Sequence, residues 1–115
     1  MMCWSTMRFS GCIVVAVLAL GMLQAQAATA VAAGPTVEIT KFAFTPKEIT
    51  VAPGTQIVWT NHDETPHTVT SADKQVKSAA LDTGDRFEHV FASEGDFSYF
   101  CTLHPFMTGV VHVRK

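Results

Sequence analysis

The sequence predicts an all-β fold, a Greek-key antiparallel β-sandwich. Three observations predict it: short segments that alternate apolar and polar residues, turn signals between them, and no stretch with helical periodicity. At 115 residues the chain has room for one domain.

The first 27 residues stand apart from this pattern. Arg8 is the only charge before an apolar run from Phe9 to Leu23, and small residues follow from Gln24 to Ala30. A charged start, a short apolar core and an Ala-x-Ala exit are the parts of a secretory signal peptide, cleaved after Ala27 or Ala30. The apolar run is shorter than the roughly 20 residues a membrane span needs. Residues 28–35 then read as a flexible N-terminal segment, and residues 36–115 as the folded domain.

Within that domain Thr36-Val37-Glu38-Ile39-Thr40 alternates with the period of a half-buried strand, and Phe42 and Phe44 continue it to Pro46. Lys47-Glu48-Ile49-Thr50-Val51 is a second strand, closed by the turn signal Ala52-Pro53-Gly54. Gln56 to Asn61 is a central strand with Ile57 and Trp59 on one face, a spacing that makes both core residues. A polar loop, Asn61 to Pro66, leads to His67-Thr68-Val69-Thr70, the start of the next strand. Ser71 to Asp85 is small, polar and charged, a long connection with room for a short strand or helical turn. Phe87 to Phe91 alternates again, Ser93 to Asp96 turns the chain, and Phe97, Tyr99 and Cys101 point one way along the next strand. Gly109 to Val113 closes the sandwich.

Composition removes some functions. Loss of the signal removes Arg8, so 7 Lys and Arg face 10 Asp and Glu, and the net charge moves from −2 to −3. That mildly acidic chain has no basic stripe for nucleic acid. Cys3 and Cys12 leave with the signal, and Cys101 remains as a single thiol in an oxidising compartment, which metal ligation explains most simply.

The metal reading rests on the loop Cys101-Thr102-Leu103-His104-Pro105-Phe106-Met107, with a thiolate, an imidazole and a thioether three residues apart. His67, after Pro66, supplies a second imidazole. Two imidazoles and a thiolate with a weak axial thioether are the donor set of a blue-copper electron-transfer site. Taken singly, Cys and Met are most often apolar filler. Their joint spacing at a strand end, with Pro-His upstream, is what carries the assignment. Zinc would take Cys and two His, but a Met in the fourth position argues against it. A cysteine hydrolase needs an orienting Asn or Asp and an oxyanion site, and nothing near the loop supplies either. A metal-free adhesion domain leaves the ligand spacing unexplained. Copper trafficking without a redox role favours Met- and His-rich tracts, whereas His62, His89 and His112 are isolated and read as solvated or structural.

Thr45-Pro46, Ile49-Thr50-Val51, Pro53-Gly54, Trp59-Thr60-Asn61, Pro66-His67, Tyr99-Phe100-Cys101-Thr102 and His104-Pro105-Phe106-Met107 together resemble the cupredoxins, the type 1 blue copper proteins. The short ligand loop is most similar to that of the amicyanins. The resemblance covers the whole mature domain. It implies one type 1 copper ion held by His67, Cys101, His104 and Met107 in a small, monomeric, periplasmic electron carrier that is not an enzyme. It also implies redox protein partners, a quinoprotein amine dehydrogenase as donor and a c-type cytochrome as acceptor. Two positions depart from the family pattern. Leu103 stands where amicyanins usually carry Pro, so its N–H is free to donate towards the Cys101 sulfur. Thr68 stands where many cupredoxins carry Asn, so its hydroxyl is expected to tie that strand to Thr102.

Overall fold

The computed structural model describes residues 32–115; the expected signal peptide and the start of the N-terminal segment lie outside them. Eight strands run in order: β1 (Ala32–Thr40), β2 (Ala43–Thr45), β3 (Glu48–Val51), β4 (Thr55–Asn61), β5 (Thr70–Ser71), β6 (Arg86–Val90), β7 (Gly95–Phe100) and β8 (Thr108–Val113). They make two four-stranded sheets, ordered β2-β1-β4-β6 and β3-β8-β7-β5. The described residues contain no helix, and the sandwich predicted from the alternation is the observed fold.

Strand direction departs from the all-antiparallel expectation. β1 pairs with β4 in parallel, as β3 does with β8, while the β1–β2, β4–β6, β5–β7 and β7–β8 pairs are antiparallel. Alternation has period two in either direction, so the one-dimensional pattern is blind to this choice. The start of β1 also differs. The strand begins at Ala32, so residues 32–35 join the sheet beside Thr55 and Gln56 instead of forming a flexible lead-in. Gly34 permits this, because a Cβ there would run into the Gln56 carbonyl and the Thr55 methyl.

The inward faces meet in a core centred on Trp59, Ile39, Ile57 and Val111, all fully buried. Tyr99 packs edge-on against Trp59 and Phe44, with ring centroids 5.6 and 4.8 Å away. Desolvation pushes its phenol up to about 12, against a smaller downward pull from Trp59, so the ring is neutral at any physiological pH. This core holds β7 rigidly, and Cys101 comes directly after its last residue.

The long connection from Thr70 to Arg86 is mostly irregular. Isolated bridges join His67 to Leu81 and Thr70 to Lys77. The strand expected to open at His67 is therefore only Thr70–Ser71. Its polar side chains bond the backbone instead: Ser78 Oγ accepts the Val69 N–H at 2.8 Å, and Ser71 Oγ accepts that of Val76 at 2.9 Å.

Candidate metal centre

At one end of the sandwich the β4–β5 and β7–β8 connections come together. The first is held by Asn61, which is fully buried at the end of β4. Its amide donates to the carbonyls of Leu81 at 2.7 Å and Thr65 at 3.0 Å, and its Oδ1 accepts the Asp63 N–H at 2.9 Å. The main chain of His67 then exchanges both hydrogen bonds with Leu81. The second connection closes on itself: Cys101 N–H donates to the Met107 carbonyl and Met107 N–H to that of His104.

These two loops bring His67, Cys101 and His104 together, with one donor atom from each lying within 4.8 Å of the others. Nδ1 of His67 and Nδ1 of His104 each lie 3.8 Å from Cys101 Sγ. That is long for a hydrogen bond, yet it is the span of two donors sharing one ion through bonds of about 2 Å. His67 and Cys101 are fully buried and His104 partly so. Met107 is buried beside them and locked by its backbone bonds. A soft sulfur pair with two imidazoles suits copper, and the absence of a carboxylate among the three gathered donors leaves little for a hard cation.

Neighbouring groups fix these donors. His67 Nε2 lies 2.8 Å from Asp63 Oδ2. With Nε2–H donating to that carboxylate, Nδ1 carries the lone pair and faces Sγ. Desolvation raises the Asp63 carboxyl, but the Phe42 N–H, the His67 contact and the Lys41 N–H outweigh it. The group is held below the usual 3.8. Thr68 N–H donates to Cys101 Sγ at 3.4 Å. The Thr68 hydroxyl makes the tie expected of it, accepting the Thr102 N–H at 2.7 Å and meeting the Thr102 hydroxyl at 2.8 Å. The contribution expected of Leu103 is not found. The amide that reaches the sulfur is that of Thr68, and Leu103 is not among the donors to it. The reason is topological: residue 68 runs alongside Cys101, whereas Leu103 sits at the outer bend of the loop, half exposed.

The other histidines have partners of their own. His62 pairs with Glu38, His112 Nδ1 with Asp96 at 2.7 Å, and His89 lies between Phe87 and Phe91. Two site residues had no sequence signal. Phe42 sets its ring edge-on to both imidazoles, 5.3 Å from His67 and 5.1 Å from His104, and Asp63 ties the β4–β5 connection to the β1–β2 turn at Lys41 and Phe42. Their contacts cross more than 20 residues of chain, beyond any local pattern. Around His104, Phe42, Leu103 and Phe106 are 43%, 52% and 71% exposed, the large exposed apolar side chains of the described residues.

The chain is similar to known proteins in sequence and in fold. The sequence family described as a cupredoxin-like domain matches residues 12–113. Amicyanin-alpha of Methylorubrum extorquens is 34% identical over 104 residues, which span 86% of this chain and 87% of that protein. A purple cupredoxin from Nitrosopumilus maritimus superposes with a TM-score of 0.67 at 34% identity, covering 70% of this chain and all of that one. A Cu(I) structure of an amicyanin variant gives 0.67 at 27% identity, covering 70% of this chain and 82% of its own.

Proposed function

The chain belongs to the cupredoxin-like family, and from that membership we propose that it is a one-electron carrier with one type 1 copper ion. The ligands in this reading are His67, Cys101, His104 and Met107. The observation that carries it is the convergence of Cys101 Sγ with Nδ1 of both His67 and His104 at 3.8 Å. Bound there, copper would cycle between Cu(II) and Cu(I).

The chain's own residues make that exchange fast by staying still. Cys101 extends a strand anchored in the aromatic core, and His67 is held at both backbone groups by Leu81 and at Nε2 by Asp63. The Thr68 N–H withdraws electron density from the thiolate, which favours the reduced state. Soft sulfur and imidazole donors of fixed position serve both oxidation states with little rearrangement. His104 is the electron's exit, because Phe42, Leu103 and Phe106 ring it with exposed apolar surface. Such a patch suits brief docking of a redox protein, where weak apolar contact allows quick release.

The finer parts of the proposal rest on the family resemblance. Donor and acceptor are a quinoprotein amine dehydrogenase and a c-type cytochrome, the carrier acts as a monomer without enzymatic turnover, and it works in the periplasm after cleavage of its signal peptide. Titration of the purified protein with one equivalent of Cu(II) tests the central claim. An intense blue thiolate-to-copper band with narrow copper hyperfine splitting is expected, and Cys101→Ser should abolish the band while the apo-protein stays folded. A pale complex points to trafficking, a zinc-loaded colourless protein to a structural site, and either overturns the carrier reading.

A further inference from the structure

The β1–β2 hairpin carries an anomaly that the electron-carrier reading leaves unexplained. Thr40 pairs with Ala43, so Lys41 and Phe42 are its two-residue tip, and their φ angles are +51° and +57°. Positive φ at both central positions marks the type I′ hairpin, which strongly prefers Asn-Gly. A side chain in this region costs about 1–2 kcal/mol, and here two consecutive residues bear it, one of them aromatic.

The cost is offset from outside the hairpin. Asp63 Oδ1 accepts the Lys41 N–H at 2.7 Å, and Oδ2 accepts the Phe42 N–H at 2.9 Å. The same Oδ2 lies 2.8 Å from His67 Nε2. Asp63 is itself fixed, its N–H on Asn61 Oδ1 and its carbonyl on the Thr83 hydroxyl at 2.7 Å. The Asp63 side chain is 14% exposed, so little water competes for its oxygens. One carboxylate therefore sets the tautomer of His67 and the place of the Phe42 ring, which stands edge-on to both imidazoles.

We propose that Asp63 is a positioning residue that clamps the Lys41–Phe42 hairpin to His67, so that Phe42 forms an aromatic cover over both imidazoles of the metal centre. The cover limits access to the site from the hairpin side and keeps the two imidazoles at fixed orientation. The clamp also places one negative charge against the metal-distal nitrogen of His67, which stabilises the more highly charged Cu(II) state. This inference rests on His67 and His104 being ligands, and its test has one arm that needs no copper.

In the apo-protein, NMR should show a slowly exchanging imidazole N–H on His67 Nε2, with the Lys41 and Phe42 amides protected. In Asp63→Ala all three should exchange about tenfold faster or more, as expected for loss of a hydrogen bond to a charged acceptor. Asp63→Asn, which keeps the shape and one acceptor oxygen, covers the case in which the alanine variant does not fold. In the copper-loaded protein Asp63→Asn should raise the reduction potential. Lys41→Asn with Phe42→Gly restores the residues a type I′ tip prefers and removes the ring. That double variant should fold at least as well as wild type, yet lose Cu(I) to a chelator several-fold faster. Unchanged exchange in the Asp63 variants, an unchanged potential, or unchanged copper loss from the double variant each overturns the clamp. A wild-type protein that is not blue with Cu(II) overturns the carrier reading instead, whatever the apo-protein NMR shows.

Discussion

Thr68→Val isolates the strut between the two ligand loops. The substitution swaps a hydroxyl for a methyl at a site only 7% exposed, with almost no change of shape. It removes the acceptor of the Thr102 N–H, 2.7 Å away, and the partner of the Thr102 hydroxyl at 2.8 Å. The Thr102 side chain is exposed, so its hydroxyl turns to water at little cost. The Thr102 amide has no such escape, and a donor stranded in a partly buried loop costs about 1–3 kcal/mol. A buried methyl in place of the hydroxyl returns a fraction of this, leaving about 1–2 kcal/mol of destabilisation. For a domain of this size that lowers the melting temperature by roughly 5–15 °C. Thermal unfolding of the apo-protein measures it without metal linkage. Amide exchange locates it: Thr102 should lose protection in Thr68→Val and keep it in Thr68→Ser, which retains the oxygen. The Thr68 amide, which faces Cys101 Sγ, should be unaffected in both. If Thr102 stays protected in the valine variant, or its melting temperature matches wild type, the strut does not exist and the reasoning fails.

Other perturbations separate the remaining contributions. If Met107 is the fourth ligand, as proposed, Met107→Gln would offer copper a harder oxygen donor, so the site should stay coloured with a lower potential by voltammetry; an unchanged value would remove Met107 from the proposed ligand set. Leu103→Pro should leave the potential near wild type, because the sulfur takes its N–H from Thr68; a clear fall would show that Leu103 also reaches it. Gly109→Ala drives a Cβ into the ring of the buried Tyr99 and should cost about 1–3 kcal/mol in urea unfolding, or less only if the ring can shift. His89 is held below its ordinary 6.5 by desolvation between Phe87 and Phe91. The unfolded chain takes the proton first, so this contribution is complete above about 6.5 and is lost as pH falls towards the folded value. Wild type should therefore weaken more steeply than His89→Gln between pH 7 and 5, and parallel curves would refute the assignment.

Alternation and ligand spacing are local properties, legible in the order of residues alone. Ile57 and Trp59 had to share a face, Tyr99 and Cys101 had to point inward together, and the Cys-x2-His-x2-Met loop had to present its donors at one strand end. The departures at 68 and 103 are equally visible in the sequence, yet the fold uses only the first as expected. Thr68 stands next to His67 in sequence, so its position is tied to the ligand's. Whether the Leu103 amide meets the sulfur depends on the bend of the loop, which no residue pattern states. Direction and distance belonged to the tertiary structure. The parallel β1–β4 and β3–β8 pairs are set by how the chain crosses between sheets, to which a period of two is indifferent. Residues 32–35 become strand because β4 offers them an edge that Gly34 can approach closely. The clamp of Asp63 on Lys41, Phe42 and His67 joins segments that local propensity would not connect, since Lys-Phe is a poor hairpin tip in isolation. Only a carboxylate brought there by the fold makes that tip stable, and with it the aromatic cover of the site.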